Sequence, residues 1–105
     1  LNKVHIKKNM GWCDDSNSKK YNKLFRINNK INFSYEKMYR KDYKYDLLIP
    51  ILYNYFNTKK NRGSAIFLHL TKKYLPTNGC IGLIEKDFKI LLKLIKKDTK
   101  IIIKN

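Results

Sequence analysis

Apolar residues recur along this chain with two different periods. From Lys86 to Lys97, Phe88, Leu91, Leu92 and Ile95 fall at i, i+3, i+4 and i+7 with lysines between them, which predicts an amphipathic helix. Ser64 to Leu70 carries the unbroken apolar run Ala65-Ile66-Phe67-Leu68, which predicts a strand buried on both faces with His69 near its end. Ile81 and Leu83 alternate as a short strand. Leu47 to Tyr53 is apolar but holds Pro50, which donates no ladder hydrogen bond, so the segment predicts an edge strand or a bulge. Val4 to Lys7 alternates as a first strand that Gly11 ends, and Tyr21 to Ile27 reads as a further strand closed by an Asn28-Asn29 turn. Tyr35 to Tyr45 mixes charge and aromatics without a period, fitting a short helix or an irregular loop.

Turn-forming residues punctuate these elements at Asp14 to Ser18, at Lys59 to Gly63 and at Pro76-Thr77-Asn78-Gly79, the last delivering Cys80. Asp98-Thr99 turns the chain into a terminal strand, Ile101 to Ile103. The expected fold is mainly β, a small sandwich or partly closed barrel with one packed helix.

A chain of 105 residues fits a single domain. Its eight Tyr, five Phe and one Trp supply a core that disordered chains lack. The formal charge of +16 predicts attraction to polyanions of any kind. Lys dominates that surplus and only Arg26, Arg40 and Arg62 are arginines, whereas nucleic-acid readout favours the bidentate guanidinium. Specific nucleic-acid binding is therefore not expected.

Cys13 and Cys80 are not spaced as CxxC, so neither a structural zinc nor a thioredoxin-type site is expected. No run approaches the ~18 apolar residues of a membrane span. The chain begins at Leu1, which leads us to expect that an upstream part, export signal included, has been truncated.

The chemistry-bearing feature is a strand-end His followed eleven positions later by Cys80, within Thr77-Asn78-Gly79-Cys80-Ile81. A thiol attacks as thiolate, and a nearby imidazole or backbone N–H donors favour that form. Gly79 permits a sharp turn that aims amides at a developing oxyanion. Spacing alone leaves two plainer roles open, a buried structural Cys and a hydrogen-bonded core His.

Gly63 to Leu83, GSAIFLHLTKKYLPTNGCIGL, resembles the signature of the L,D-transpeptidase (YkuD-like) catalytic domain, in which a strand ending in His precedes a Ser/Thr-x-Gly-Cys-Ile/Val motif. Gly11-Trp12-Cys13-Asp14-Asp15, Tyr21-Asn22, Arg40-x-Asp42-x-x-Tyr45-Asp46 and Tyr53-Asn54 are similar to a short branch of that family, so the resemblance spans residues 11 to 103. It implies Cys80 as nucleophile, His69 as its base, and backbone amides of Gly79 and Cys80 as oxyanion hole. The implied reaction cleaves a peptidoglycan tetrapeptide stem after its third residue, releases D-alanine, and passes the acyl group to an amine of a second stem or to water. It also implies a periplasmic or cell-wall monomer with no metal or organic cofactor. The rival expectation is a non-catalytic cationic domain that holds anionic wall polymer or nucleic acid.

Leu70 stands where the family often has Gly, Gly82 where many members have Arg, and no Gly-Asp-x-x-Thr-Pro segment precedes the site. Trp12, Asp14, Asp15, Thr77 and Asn78 are candidates for lining the substrate groove, with Arg62 as a substitute for the missing Arg. For Trp12 and the two Asp residues the plainer alternative is a buried Trp beside an Asx-capped turn. Arg40, Asp42, Tyr45 and Asp46 are expected to form a structural hydrogen-bond network, and His5 to be a solvated strand residue.

Overall fold

Two three-stranded sheets and one helix make up the computed structural model, which describes residues 3–74, 77 and 79–102. In the first sheet β1 (Met10–Cys13) lies between β2 (Leu24–Arg26) and β3 (Tyr35–Lys37), antiparallel to both. In the second, β5 (Phe67–Leu70) is central, antiparallel to β4 (Leu48–Pro50) and parallel to β6 (Ile81–Leu83). Helix α1 (Glu85–Leu94) follows β6 after the single residue Ile84. The mainly β architecture expected from the sequence is therefore present.

The burial of β5 on both faces follows from its place. All four of its residues are buried because alternate side chains enter two different cores. Leu68 and Leu70 face the helix, packing with Phe88, Ile81, Leu83 and Leu91. Phe67 points the other way, into a cluster with Trp12, Met38, Tyr45 and Ala65 that joins the two sheets. The Trp12 and Phe67 rings meet edge to face with centroids 5.0 Å apart. Pro50 ends the edge strand β4, where its missing N–H costs no central ladder bond.

The helix starts and stops near the expected bounds but is three residues shorter at its end. Thr99 captures the Lys96 N–H through Oγ1 at 2.8 Å, while its own N–H bonds to Lys96 O. Ile95 accordingly leaves the helix with extended backbone, φ −76° and ψ 147°.

Other expectations are corrected. Val4 to Lys7, His5 included, is irregular rather than a strand, and the first strand begins at Met10. Gly11 lies inside that strand instead of ending one. Its reason is close approach: a Cβ there would lie 2.9 Å from Phe25 Cζ on β2. Gly11→Ala is thus expected to cost about 1–3 kcal/mol, read as a shifted denaturant midpoint. Tyr35 to Tyr45 opens with strand β3 and contains no helix, since pairing to β1 supplies the hydrogen bonds that local periodicity does not. Ile101 and Ile102 are not in a strand, and Ile103, like Pro76 and Asn78 of the expected turn, lies outside the described residues.

Candidate functional site

Cys80 stands immediately before β6, and strand register fixes where its side chain goes. His69 pairs with Gly82 across the parallel β5–β6 ladder. Residues two apart on a strand share a face, so Cys80, Gly82 and His69 lie on one face of the second sheet. Cys80 packs with the Trp12–Phe67 cluster, which is the same side. Strand spacing and rise put the Cys80 and His69 Cα atoms roughly 8 Å apart on the diagonal.

Opposite His69 there is no side chain, because residue 82 is glycine. A Cβ at Gly82 would lie 3.7 Å from His69 Cε1 and 3.1 Å from Thr71 Cβ and Cγ2. Glycine at this position lets the Thr71 side chain pack there beside the imidazole.

Each reactive group is held by a backbone carbonyl rather than by the other. The Cys80 thiol donates to Ala65 O at 3.3 Å. The buried imidazole places Nδ1 2.8 Å from Leu70 O. A carbonyl only accepts, so Nδ1 carries the proton and Nε2 keeps its lone pair for accepting one.

The surroundings of the thiol favour its protonated form, the opposite of what a nearby imidazole or backbone N–H donors would do. Burial pushes its pKa up, and the negative charge of Glu36 adds to this against a backbone hydrogen bond from Phe67. Cys13 is fully buried and Cys80 only half so; neither is in a disulfide. Alkylation is thus expected at Cys80 first, with a rate that keeps climbing as pH rises past the usual thiol range. Rate measurement from pH 6 to 10 with peptide mapping checks this, and rapid labelling of Cys13 would contradict it.

Glu36 reaches the site from the first sheet. It pairs in register with Trp12, so it shares the inward face. The Tyr45 hydroxyl donates to its carboxylate, and the Tyr45 ring lies 5.8 Å from the His69 ring. Burial and that hydrogen bond hold the Tyr45 hydroxyl protonated far above the usual phenol range. Arg40 stacks 5.0 Å from the Tyr45 centroid and binds Asp42 through Nε at 2.8 Å and Nη2 at 2.6 Å. That pair holds the Asp42 carboxyl well below its ordinary range. Among the described residues Asp46 makes no side-chain bond to that pair, and its N–H bonds to Tyr43 O.

The remaining candidates scatter. Trp12 is buried in the core with Nε1–H on Asn22 Oδ1 at 2.9 Å, and Asp15 accepts the Asn17 N–H in an Asx turn. Asp14 is exposed beside it. Arg62 is exposed on the turn before β5 and makes no side-chain hydrogen bond or ion pair among the described residues. The exposed Thr77 gives its hydroxyl proton to Cys80 O, tying the turn to the nucleophile candidate. Gly79 has φ +85°, and a Cβ there would lie 3.2 Å from Ile66 Cδ1, so the turn needs glycine. Asn78 lies outside the described residues.

A model of the L,D-transpeptidase catalytic domain family, YkuD, matches residues 8–103. The chain belongs to that family. No curated protein and no solved structure matches it. L,D-transpeptidases of this family are cysteine-dependent and act on cell-wall peptidoglycan. Among the described residues of this family member, no helix is long and apolar enough to cross a membrane, and no group of three or more His, Cys, Asp or Glu gathers.

One residue of this L,D-transpeptidase domain escaped the sequence reading as a functional support. Asn22 is 2% exposed with φ +59°, and all its amide bonds are used. Oδ1 accepts from Trp12 Nε1 and, at 3.2 Å, from Ala65 N, while Nδ2 donates to Tyr53 O and Asn54 O at 2.9 and 2.7 Å. Ala65, itself at φ +58°, then offers its carbonyl to the Cys80 thiol. Partners 10 to 43 residues apart leave no local signal beyond the residue type, Asn being tolerant of left-handed backbone.

Proposed function

We propose that the chain is a peptidoglycan L,D-transpeptidase in which Cys80 attacks a stem-peptide carbonyl and His69 takes the thiol proton. The observation that carries this is the one sheet face shared by the Cys80 thiol and an imidazole whose Nδ1–H is committed to Leu70 O. Nε2 is then the base. It removes the Sγ proton as sulfur bonds to the carbonyl carbon, and the same proton is delivered to the leaving D-alanine nitrogen. A raised resting pKa suits this, because the proton leaves during attack rather than beforehand.

Backbone amides of Gly79 and Cys80 serve the oxyanion, presented by the positive-φ turn at Gly79. An amine of a second stem resolves the thioester into a cross-link; water resolves it into a shortened stem. The reading takes the whole chain as a single catalytic domain working as a monomer outside the cytoplasmic membrane, in periplasm or wall. Incubation of the purified chain with tetrapeptide muropeptides tests it by mass spectrometry. The expected products lack D-alanine or are cross-linked dimers, and unchanged muropeptides would count against the reading.

A further inference from the structure

We propose that the chain carries a second ligand site, a pocket for a phosphate ester, between the loop after β1 and the segment joining β4 to β5. The pocket has a volume of about 250 Å³ and is lined in part by Lys19, Lys23, Lys60, Ser18, Tyr21 and Thr58. No carboxylate lines it. The two ion pairs among the described residues, Arg40–Asp42 and Lys89–Glu85, involve none of its lysines.

Lys23 is fixed before any ligand arrives. Its ammonium donates to Tyr55 O and, at 2.9 Å, to Thr58 Oγ1, and lies 3.9 Å from the Tyr55 ring centroid. All three partners are neutral, so the charge is positioned but not cancelled, and one of its three N–H groups is still unspent. The hydroxyls are arranged in the same sense. Ser18 Oγ accepts the Lys20 N–H at 3.1 Å and Tyr21 Oη accepts the Gly63 N–H at 3.2 Å, which turns each O–H into an available donor.

Three cations and two hydroxyl donors with no competing carboxylate suit a tetrahedral, multiply accepting anion. A phosphate ester of a polyol-phosphate wall polymer is the occupant we assign rather than nucleic acid, because Tyr21, the aromatic residue that lines the pocket, is buried and presents its hydroxyl rather than a ring face. The site is independent of the thiol chemistry.

Amide chemical-shift titration at constant ionic strength tests it, with inorganic phosphate, a glycerol-phosphate oligomer and an oligonucleotide of equal phosphate count. Saturable shifts are expected at Ser18, Lys19, Lys23 and Thr58, with the glycerol-phosphate oligomer binding more tightly than the oligonucleotide. The double variant Lys19→Gln/Lys60→Gln should weaken phosphate binding roughly tenfold or more, since each lost charge-assisted contact is a sizeable fraction of the affinity. Lys86→Gln/Lys93→Gln on the helix removes the same charge and should leave affinity within about twofold. Unsaturable shifts spread over the lysines, equal losses in the two double variants, or tighter binding of the oligonucleotide would each overturn the proposal.

Discussion

Replacing Cys80 by Ala is expected to remove stem-peptide turnover, a fall of at least about a thousandfold, because no other group can form the thioester. Cys13→Ser should leave turnover intact, since Cys13 is fully buried at the end of β1. His69→Ala should cost roughly 10²–10⁴-fold, the usual worth of a positioned general base. The losses should not add: once the thiol is gone there is no proton for His69 to take, so the double variant should match Cys80→Ala. Steady-state kinetics with circular dichroism as a check on folding separates these outcomes. Equal activity in Cys80→Ala and the parent would remove Cys80 from the mechanism.

Asn22→Ala should be among the most destabilising single changes in the chain. It leaves the Trp12 Nε1–H and Ala65 N–H without an acceptor and the Tyr53 and Asn54 carbonyls without a donor. Each buried unmet group costs about 1–3 kcal/mol, water relieving some, so a loss of about 4 kcal/mol is expected. For a domain of this size that lowers Tm by roughly 15 °C or more. Asn22→Asp should fare little better, because it sets a carboxylate oxygen against two carbonyls. Thermal unfolding followed by circular dichroism measures both, and a shift under about 4 °C would show that the Asn22 bonds carry little of the stability.

Elements that announce themselves along the chain were legible, and elements made by distant partners were not. β5, β6 and the helix each pack a continuous or periodic apolar set against the buried clusters, Phe67 with Leu68 and Phe88 with Leu91 being the clearest. β1 was obscured because Gly11 reads as punctuation until Phe25 is known to lie over it. β3 is three residues, two of them charged, and owes its extension to pairing with β1.

The candidate site divides the same way. His69 and Cys80 stood out through motif and spacing. The Asn22 bonds to Ala65, and Tyr45 with Glu36 beside the imidazole, come from long-range packing that no local pattern encodes. Burial also sets the thiol against ionisation, which no local pattern shows, since a sequence names the neighbours of a Cys but not the water it loses.

The thioester at Cys80 is the central claim, and intact-protein mass spectrometry tests it most directly. The chain is mixed with a tetrapeptide stem, quenched in acid within seconds, and mapped by proteolysis. The predicted result is a mass increase equal to the stem minus D-alanine, located on the peptide containing Cys80, slower to form in His69→Ala and missing in Cys80→Ala. An adduct on Cys13, or turnover with no adduct and no dependence on Cys80, would contradict the account.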